Sequence, residues 1–364
     1  MSTPFYKKYI EKQSELEKKY GEKSIVLMMV GSFYEIYGYD CKKIKCGNID
    51  IASKILGFAK TLKSKKNAHS INNPYMCGFP CPALSKHLST LLQNNMTVAV
   101  YTQSDNINKK EKDRNLESIY SPSTYINDEI IQNNELMCII VDEITCPINK
   151  IKLMCGYISH IDLSTGRNKI YECYDTKENQ HFVINEINKL ILSVNPCEVI
   201  TNYELDLDTI LIHELNLDNN YKNINYQKHF FEKIFGKQEV IDIFEYLNLH
   251  HSPDLSYCYI QLLQFAYEHN PNIIKKIKLP ENNSSCDYLQ INHDAFTQLN
   301  IFNKDNVDLF DIVNNTSTKM GYRLLKTRIT KPIFDKKILN NRYNNISLFM
   351  DNFKDYKQIV QNIN

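Results

Sequence analysis

Short apolar runs typical of buried strands are spread over the first 205 residues of this chain and largely stop beyond residue 236. Residues 25–30 (IVLMMV) form the clearest run, and a continuous apolar run of this length indicates a strand buried on both faces. Amphipathic segments separate the runs, with apolar residues at helical spacing over 83–93 and 182–192. The order of the two patterns predicts an α/β chain of several domains whose last part is mainly helical.

Length and local charge divide the chain into units. Its 364 residues are enough for two or three domains of roughly 100–200 residues each. A charged segment at 105–117 (DNINKKEKDRNLE) is almost free of apolar residues and is expected to link a first α/β unit, 1–104, to the next. Three strand-like runs, a helix and a short strand define a second α/β unit at 118–205, and helical spacing dominates 206–364.

Composition excludes several classes of protein. Lys and Arg number 43 against 42 Asp and Glu, which excludes a uniformly basic nucleic-acid-binding surface but not a local basic patch. No apolar run approaches the ~20 residues of a membrane span. The eleven dispersed cysteines are expected to be reduced thiols, and the closest pairs, Cys41/Cys46 and Cys77/Cys81, lack the C-x2-C spacing of a zinc site. No metal site is therefore expected.

Sequence signatures of common enzymes are absent. The chain contains no G-x-x-x-x-G-K-[ST], G-x-S-x-G or H-E-x-x-H motif, so no ATPase, serine hydrolase or zinc protease is expected. One alternative is a Mg²⁺-dependent nuclease built on acidic residues near strands of the second unit: Asp142, Glu143, Asp162 and Glu172. It requires Asp142 and Asp162 to converge within ~8 Å, because Mg²⁺ lies within about 2–2.6 Å of its oxygen ligands. Ordinary solvation of strand-end carboxylates is the competing interpretation.

Residues 31–35 (GSFYE) combine a tight turn, an aromatic ring and a carboxylate directly after the first strand. On an extended backbone, Phe33 and Glu35 point to the same side. A phenylalanine wedge can enter a base stack and kink the duplex, and a carboxylate can hydrogen-bond a base edge. The competing interpretation is that aromatic residues beside a strand belong to the core.

The order of motifs around this segment resembles the mismatch-recognition domain of the MutS family of DNA mismatch repair proteins. The resembling stretch runs from the strand at 25–30 through GSFYEIYG (31–38) and MCGFP (76–80) to TVAVYTQ (97–103). Further stretches follow in the family's order: IYSPST (119–124), with Ser123 in place of a glycine, IDLSTG (161–166), NPCEVI (195–200), LQIN (289–292), LNI (299–301), LFDIVN (309–314), TKMGYRLLK (318–326) and KPI (331–333). The GSFYEIYG form and a composition typical of AT-rich codons suggest a giant-virus or organellar branch.

The resemblance implies an α/β multidomain fold. Its parts would be a mixed-sheet mismatch-binding domain (1–104), a linker (105–117), an RNase H-like connector domain (118–205) and a mainly helical partial core domain (206–364). In the family, the aromatic residue of the F-x-E motif stacks on the mispaired base and the glutamate hydrogen-bonds it. These roles would fall to Phe33 and Glu35.

The resemblance and the basic loop at 60–73 together define a set of expected DNA-binding residues. The set is Phe33, Tyr34, Glu35, Lys60, Lys63, Lys65 and Lys66. The lysines are candidates for phosphate contacts, and an ordinary solvated loop is the competing interpretation. A glutamate that faces a base nitrogen near phosphates is expected to share a proton, because two acceptors repel each other.

In the family, an ATPase domain that uses ATP and Mg²⁺ follows the core regions. Because the phosphate loop is missing, the resemblance implies that this chain holds no cofactor and is no enzyme by itself, as a fragment, a split-gene product or a reduced form. The expected partner is double-stranded DNA with mismatches or small loops. An alternative role is an adaptor that docks a MutL-type repair protein through the connector. The chain is expected to be a monomer, and a homodimer at the family's full length. It is expected to be intracellular, to occur where DNA is, and not to associate with a membrane.

Overall fold

The computed structural model describes most of the chain in two mixed sheets and their covering helices. The described residues are 5–41, 44–64, 68–70, 73–103, 114–126, 134–145, 151–205, 210–216, 218–282, 288–289, 291, 293–302, 307–352 and 358. The α/β composition expected from the sequence is confirmed. Within these residues, no helix has the length and apolar character needed to cross a membrane.

The first sheet has the strand order β4-β5-β2-β1-β6-β7, with β3 paired to β2. Its strands are β1 (Ser24–Val30), β2 (Phe33–Cys41), β3 (Ile44–Cys46), β4 (Thr61–Leu62), β5 (Tyr75–Pro80), β6 (Thr97–Gln103) and β7 (Arg114–Tyr120). Its helices are α1 (Phe5–Tyr20), α2 (Ile49–Leu56) and α3 (Leu84–Gln93). Strands β1 and β6 are parallel, and the other pairs are antiparallel.

The central strand β1 is covered by helices on both faces, as its continuous apolar run predicted. Ile25 and Leu27 belong to one apolar cluster with Leu88 and Leu91 of α3. Val26 and Met28 belong to a second cluster, together with Tyr9, Leu16 and Tyr20 of α1. Side chains alternate across a strand, so each face of β1 contributes every second residue to a different core.

The first sheet extends beyond the expected boundary at residue 104. Strand β7 pairs with β6 from Gln103↔Arg114 to Val98↔Tyr120, so residues 114–117 of the expected linker belong to a strand. Residues 104–113 lie outside the described part of the chain. The charged sequence concealed this strand because β7 is an edge strand, and an edge strand accommodates charged, partly exposed side chains.

The second sheet has the order β12-β11-β8-β9-β10-β13. Its strands are β8 (Glu135–Thr145), β9 (Lys152–Asp162), β10 (Arg167–Tyr174), β11 (Glu198–Thr201), β12 (Leu211–Glu214) and β13 (Glu281–Asn282), and α4 (Phe182–Val194) precedes β11. Strands β8, β9 and β10 form an antiparallel meander, whereas β11 is parallel to both β8 and β12. The three long strands, the helix and the short strand lie where the sequence predicted them.

Helices beyond residue 205 cover one face of the second sheet. These helices are α5 (Ile224–Phe235), α6 (Ile243–Tyr246) and α7 (Pro253–His269). Tyr259 and Leu263 of α7 share an apolar cluster with Leu136 and Tyr157 of the sheet, while α4 covers the other face. The expected boundary at 205/206 therefore falls inside this unit. Helical spacing shows which face of a helix is buried, but it does not show which partner buries it.

The last described helices are α8 (His293–Gln298), α9 (Leu309–Val313), α10 (Lys319–Thr330) and α11 (Lys336–Asp351). Helical spacing dominates 206–364, and the structure separates α9 from α10 at residues 314–318. The hydroxyl of Thr318 accepts a hydrogen bond from the Gly321 N–H and caps a new helix, α10. Helix α11 has no buried residue, so apolar side chains such as Phe349 stay exposed.

The two sheets are joined by a buried polar cluster between α1, α7 and the β11–β12 edge. Tyr20 of α1 packs edge-on against His269 of α7, with ring centroids 5.0 Å apart. Fully buried Glu198 lies 3.5 Å from His213 Nε2 and accepts a hydrogen bond from the Ser123 N–H at 3.1 Å. Ser123 does not have a left-handed backbone conformation, so a serine fits the position where the family has glycine.

Protonation of this cluster is expected to destabilise the fold. Burial alone would raise the pKa of Glu198, but the imidazole of His213 at 3.5 Å and the charges of His213 and His269 lower it below the usual value. Burial lowers the pKa of His269 from 6.5 to about 4. Both groups therefore bind protons more weakly in the folded state than in the unfolded state, so stability falls as the pH decreases.

We expect the free energy of unfolding to fall by roughly 1–3 kcal/mol between pH 6.5 and pH 4, in addition to the contribution of other carboxylates. Urea denaturation followed by circular dichroism at several pH values measures it. His269→Gln should flatten this dependence, whereas His181→Gln, a substitution of an exposed histidine, should not. Equal pH dependence in the wild-type protein and His269→Gln would contradict this account.

Candidate nucleic-acid interface

A two-residue turn places Phe33 at the end of the first sheet. Val30 pairs directly with Phe33, so Gly31 and Ser32 are the whole connection between β1 and β2. Gly31 has φ +64°, a left-handed conformation that tight hairpin turns require and that glycine adopts without strain. The Ser32 carbonyl accepts a hydrogen bond of 2.9 Å from the Cys81 N–H, which fixes the turn to the end of β5.

Side chains along β2 alternate between the two faces of the sheet. Phe33 is 46% exposed, and Glu35 and Tyr37 follow it on the same face, as the extended backbone predicted for Phe33 and Glu35. Tyr34 points to the opposite face, where it is buried with Phe79 in the core. The structure thus separates Tyr34 from the other expected DNA-binding residues and leaves almost none of its ring exposed.

The Glu35 carboxylate is held by two neighbours. The Lys63 ammonium lies 2.9 Å from Glu35 Oε2 and 3.3 Å from Oε1. The Tyr37 hydroxyl donates a hydrogen bond to Oε2, and burial together with this bond raises the pKa of Tyr37 above its usual value. Glu35 is therefore a nearly buried, charge-compensated acceptor beside an exposed aromatic ring.

The expected lysines have different positions. Lys63 follows β4 and reaches Glu35, as described above. Lys60 precedes β4, forms an ion pair with Asp50 and lies 5.3 Å from the centroid of the Tyr75 ring. Lys65 and Lys66 lie outside the described residues. The structure thus brings Lys63 to the F-x-E segment and places Lys60 at the other end of the short strand β4.

Sequence reasoning missed three residues that shape this site. Tyr37 could have been found from its spacing of two residues from Glu35, which places both on one face. Gly78 pairs with Glu35, and a Cβ atom there would lie 2.6 Å from the Tyr34 carbonyl oxygen, so only glycine fits. Arg114 donates a hydrogen bond of 2.9 Å to the Met29 carbonyl, and nothing in its charged surroundings predicted this contact.

The acidic residues of the second sheet do not converge. Glu135 pairs with Asp162 at one end of the β8–β9 hairpin, whereas Asp142 pairs with Cys155 near the other end. Seven residues along a strand separate the two aspartates by about 23 Å, far beyond the reach of one Mg²⁺ ion. Asp162 instead caps its turn by accepting hydrogen bonds from Ser164 and Thr165. The nuclease alternative is therefore wrong, and the described residues hold no group of three potential metal ligands.

Comparison with known proteins identifies the family. The sequence model of MutS domain I matches residues 3–129, and that of MutS domain III matches residues 289–364. The first match includes β7, in agreement with the extended first sheet. The second begins after the helices that cover the second sheet.

Similar proteins are known from viruses, mitochondria and bacteria. A DNA mismatch repair protein mutS homolog of Acanthamoeba polyphaga mimivirus is 28% identical over 98% of this chain and 36% of its own length. The mitochondrial DNA mismatch repair protein mutS homolog of Sarcophyton glaucum is 27% identical over 94% of this chain and 40% of its own length. DNA mismatch repair protein MutS of Clostridioides difficile is 26% identical over 99% of this chain and 36% of its own length.

The chain thus spans between about a third and two fifths of the length of these relatives. The viral and mitochondrial relatives agree with the branches suggested by composition, although bacterial relatives cover as much of the chain. Two domain models and relatives that match nearly every residue lead to one conclusion: the chain belongs to the MutS family.

Proposed function

We propose that this chain binds duplex DNA at mismatched bases and that Phe33 is the wedge that stacks on the mispaired base. The observation that carries the proposal is the exposure of the Phe33 ring at the start of β2, where Tyr34 and Glu35 beside it are buried. The names of the relatives, DNA mismatch repair proteins, support this assignment.

A wedge of this kind selects mismatches through the cost of deforming DNA. Inserting an aromatic ring unstacks a base step and kinks the duplex. A mispaired base is easier to unstack than a Watson–Crick pair, so the same insertion is more favourable at a mismatch. Phe33 offers no hydrogen-bonding group, and this mode of binding is therefore largely independent of sequence.

Glu35 is the proposed base-edge contact. It lies two residues from Phe33 on the same face, so a base stacked on the ring comes within reach of the carboxylate. An ionised carboxylate only accepts hydrogen bonds, which suits N–H donors on the base. The Lys63 ammonium at 2.9 Å offsets its negative charge and reduces repulsion by DNA phosphates. Charge compensation by Lys63 thus lets an ionised Glu35 face a base N–H donor, whereas the shared proton expected from the sequence applies to a base nitrogen that accepts.

Phosphate contacts are expected to supply most of the affinity. Lys63 and Lys60 border β4 near the wedge, and Lys65 and Lys66 remain predicted contacts. Each contact of this kind adds to the salt dependence of binding. In this proposal, these residues recognise mismatched DNA and take no part in ATP hydrolysis.

The connector role also remains a proposal. The antiparallel meander β8–β9–β10 followed by the parallel strands β11 and β12 supports an RNase H-like connector. A groove of about 580 Å³ between β8 and helices α5–α7, with apolar walls and the carboxylates of Asp142 and Asp254 at its edge, is a candidate docking surface for a MutL-type partner.

Phe33→Ala should abolish the preference for mismatched DNA. Base–aromatic stacking contributes about 1–3 kcal/mol per base, so affinity for a duplex with one mismatch should fall about 10- to 100-fold, while affinity for matched duplex changes little. Fluorescence anisotropy with labelled duplexes at low salt measures both affinities.

Tyr174→Ala is the matched control, because Tyr174 is equally exposed (45%) but lies in the second sheet. The proposal is contradicted if the wild-type protein binds matched and mismatched duplexes equally, or if Phe33→Ala retains the difference between them.

Glu35→Gln should reduce discrimination in a different way. The substitution removes a negative charge close to the DNA and frees the Lys63 ammonium for phosphate, so affinity for matched duplex should rise several-fold. The ratio of mismatched to matched affinity should therefore fall. The same anisotropy titrations, repeated at two salt concentrations, should show a steeper salt dependence for Glu35→Gln. An unchanged affinity for matched duplex would contradict the proposed role of the Glu35–Lys63 pair.

A further inference from the structure

A second concentration of positive charge lies far from Phe33, in a pocket between the second sheet and α10. The pocket has a volume of about 270 Å³ and is lined by β8, β9, β10, the end of α4 and one face of α10. Its cationic lining residues are Arg167, Lys169, Arg323, Lys326 and Lys331, and His160 lies beside them. The only carboxylates among its described lining residues are Glu135 and Asp162.

Both carboxylates already have partners. Asp162 accepts hydrogen bonds from the Ser164 N–H and from the Thr165 hydroxyl, each at 2.9 Å, and these bonds hold the turn between β9 and β10. Glu135 lies 3.3 Å from His160 Nδ1. The two carboxylates thus hold the hairpin and its edge, and their two negative charges offset only part of the five positive charges in the pocket.

The cations of α10 and its C-terminal end are poorly compensated. Arg323 Nη1 is 3.9 Å from Asp162 Oδ2, a loose contact. Lys326 and Lys331 are half-buried, and in the described part of the chain neither has a carboxylate within 4 Å. Burial lowers the pKa of Lys326, and burial together with the charges of Lys169 and Lys189 lowers the pKa of Lys331 to about 8.

We propose that this pocket binds the phosphate groups of a phosphate-bearing ligand. Five cations on two walls exceed the two lining carboxylates together with Glu281, which lies 3.3 Å from Lys169, and an anion between the walls would relieve the repulsion that remains. Arg and Lys are the side chains that bind phosphate, Arg through paired N–H donors and Lys as a point charge. At ~30 Å³ per water molecule, the volume corresponds to about nine waters, which leaves room for pyrophosphate or the phosphates of a nucleotide.

The ligand would join two units of the chain. Arg167 and Lys169 belong to the second sheet, whereas Arg323, Lys326 and Lys331 belong to the segment matched by MutS domain III. Binding would therefore fasten α10 to the sheet by replacing like-charge repulsion with charge-assisted hydrogen bonds. This inference does not depend on mismatch recognition, because none of these residues belongs to the Phe33 site.

Isothermal titration calorimetry of the 364-residue chain with sodium pyrophosphate at low ionic strength tests the proposal. We expect saturable binding to one site. Lys331→Gln and Arg167→Gln, one on each wall, should each weaken binding about tenfold or more, because each removes a charged hydrogen-bond donor. Arg167 is exposed, so its substitution leaves the core intact even if Lys331→Gln destabilises α10. Lys152→Gln, near the opposite end of β9, is the control and should bind as the wild-type protein does.

Affinity should also decrease as the pH rises from 7 to 9, since Lys331 loses its charge over this range. The charged groups that face Lys331 are Lys169 on β10, Lys189 and Glu186 on α4, and Glu135 on β8. Pyrophosphate itself gains negative charge over this range with every variant, so the contribution of Lys331 is the loss of affinity in the wild-type protein relative to Lys331→Gln.

A matched DNA duplex, added as a competitor, distinguishes the two sources of phosphate. Displacement of pyrophosphate by the duplex, with loss of duplex binding in Lys331→Gln, supports the site and identifies the DNA backbone as the ligand. If pyrophosphate stays bound when the duplex is added, the result supports the site and identifies a free phosphate compound as its ligand. No binding of pyrophosphate, or equal affinity in the wild-type protein, Lys331→Gln and Arg167→Gln, would overturn the proposal.

Discussion

Burial of both faces of the two sheets is the constraint on which the rest of this structure depends. The central strand β1 and residues 136–141 of β8 are almost fully apolar, so each sheet needs a helical layer on either side. In the first sheet, α1 supplies one layer and α2 with α3 the other. In the second, α4 supplies one, and α5, α6 and α7 supply the other. In a sheet fixed in this way, the Gly31–Ser32 turn needs only the hydrogen bond between Ser32 and Cys81 to hold Phe33 in place.

The Phe33 site follows from this arrangement by simple alternation. Tyr34 and Ile36 are buried under α2 and α3. The residues that alternate with them, Phe33, Glu35 and Tyr37, must therefore point to the face that α1 covers. Helix α1 covers Tyr37 but does not cover Phe33 at the start of the strand. The exposure of Phe33 thus results from where the helix layer stops relative to the strand. Glu35, between the two, is nearly buried yet lies beside the exposed ring.

Much of this architecture could be predicted from local sequence, because apolar periodicity reports directly on strands and helices. Helices α3 and α4, the meander β8–β10 and the shared face of Phe33 and Glu35 were all predictable. Contacts between distant segments were not. The Glu35–Lys63 pair joins residues 28 positions apart, and no local pattern encodes it. Arg114 seemed to belong to a charged linker because an edge strand tolerates charge. The boundary expected at 205/206 lies inside the second unit, whose sheet is covered by α5–α7. Amphipathic spacing predicts that one face of these helices is buried, but it does not reveal which surface they cover.

Helix α1 also connects the first sheet to the helix that covers the second. Near its N-terminus, the Phe5 and Tyr9 rings contact Tyr37, the residue that hydrogen-bonds Glu35. At its C-terminal end, Lys19 reaches Glu268 at 2.6 Å and Tyr20 contacts the helix that covers the second sheet. Sixteen residues in one α-helix form a stiff rod of about 24 Å. Because this one rod contacts Tyr37 near one end and α7 at the other, the placement of the Glu35 hydrogen-bond donor and the placement of the second sheet depend on the same rigid element.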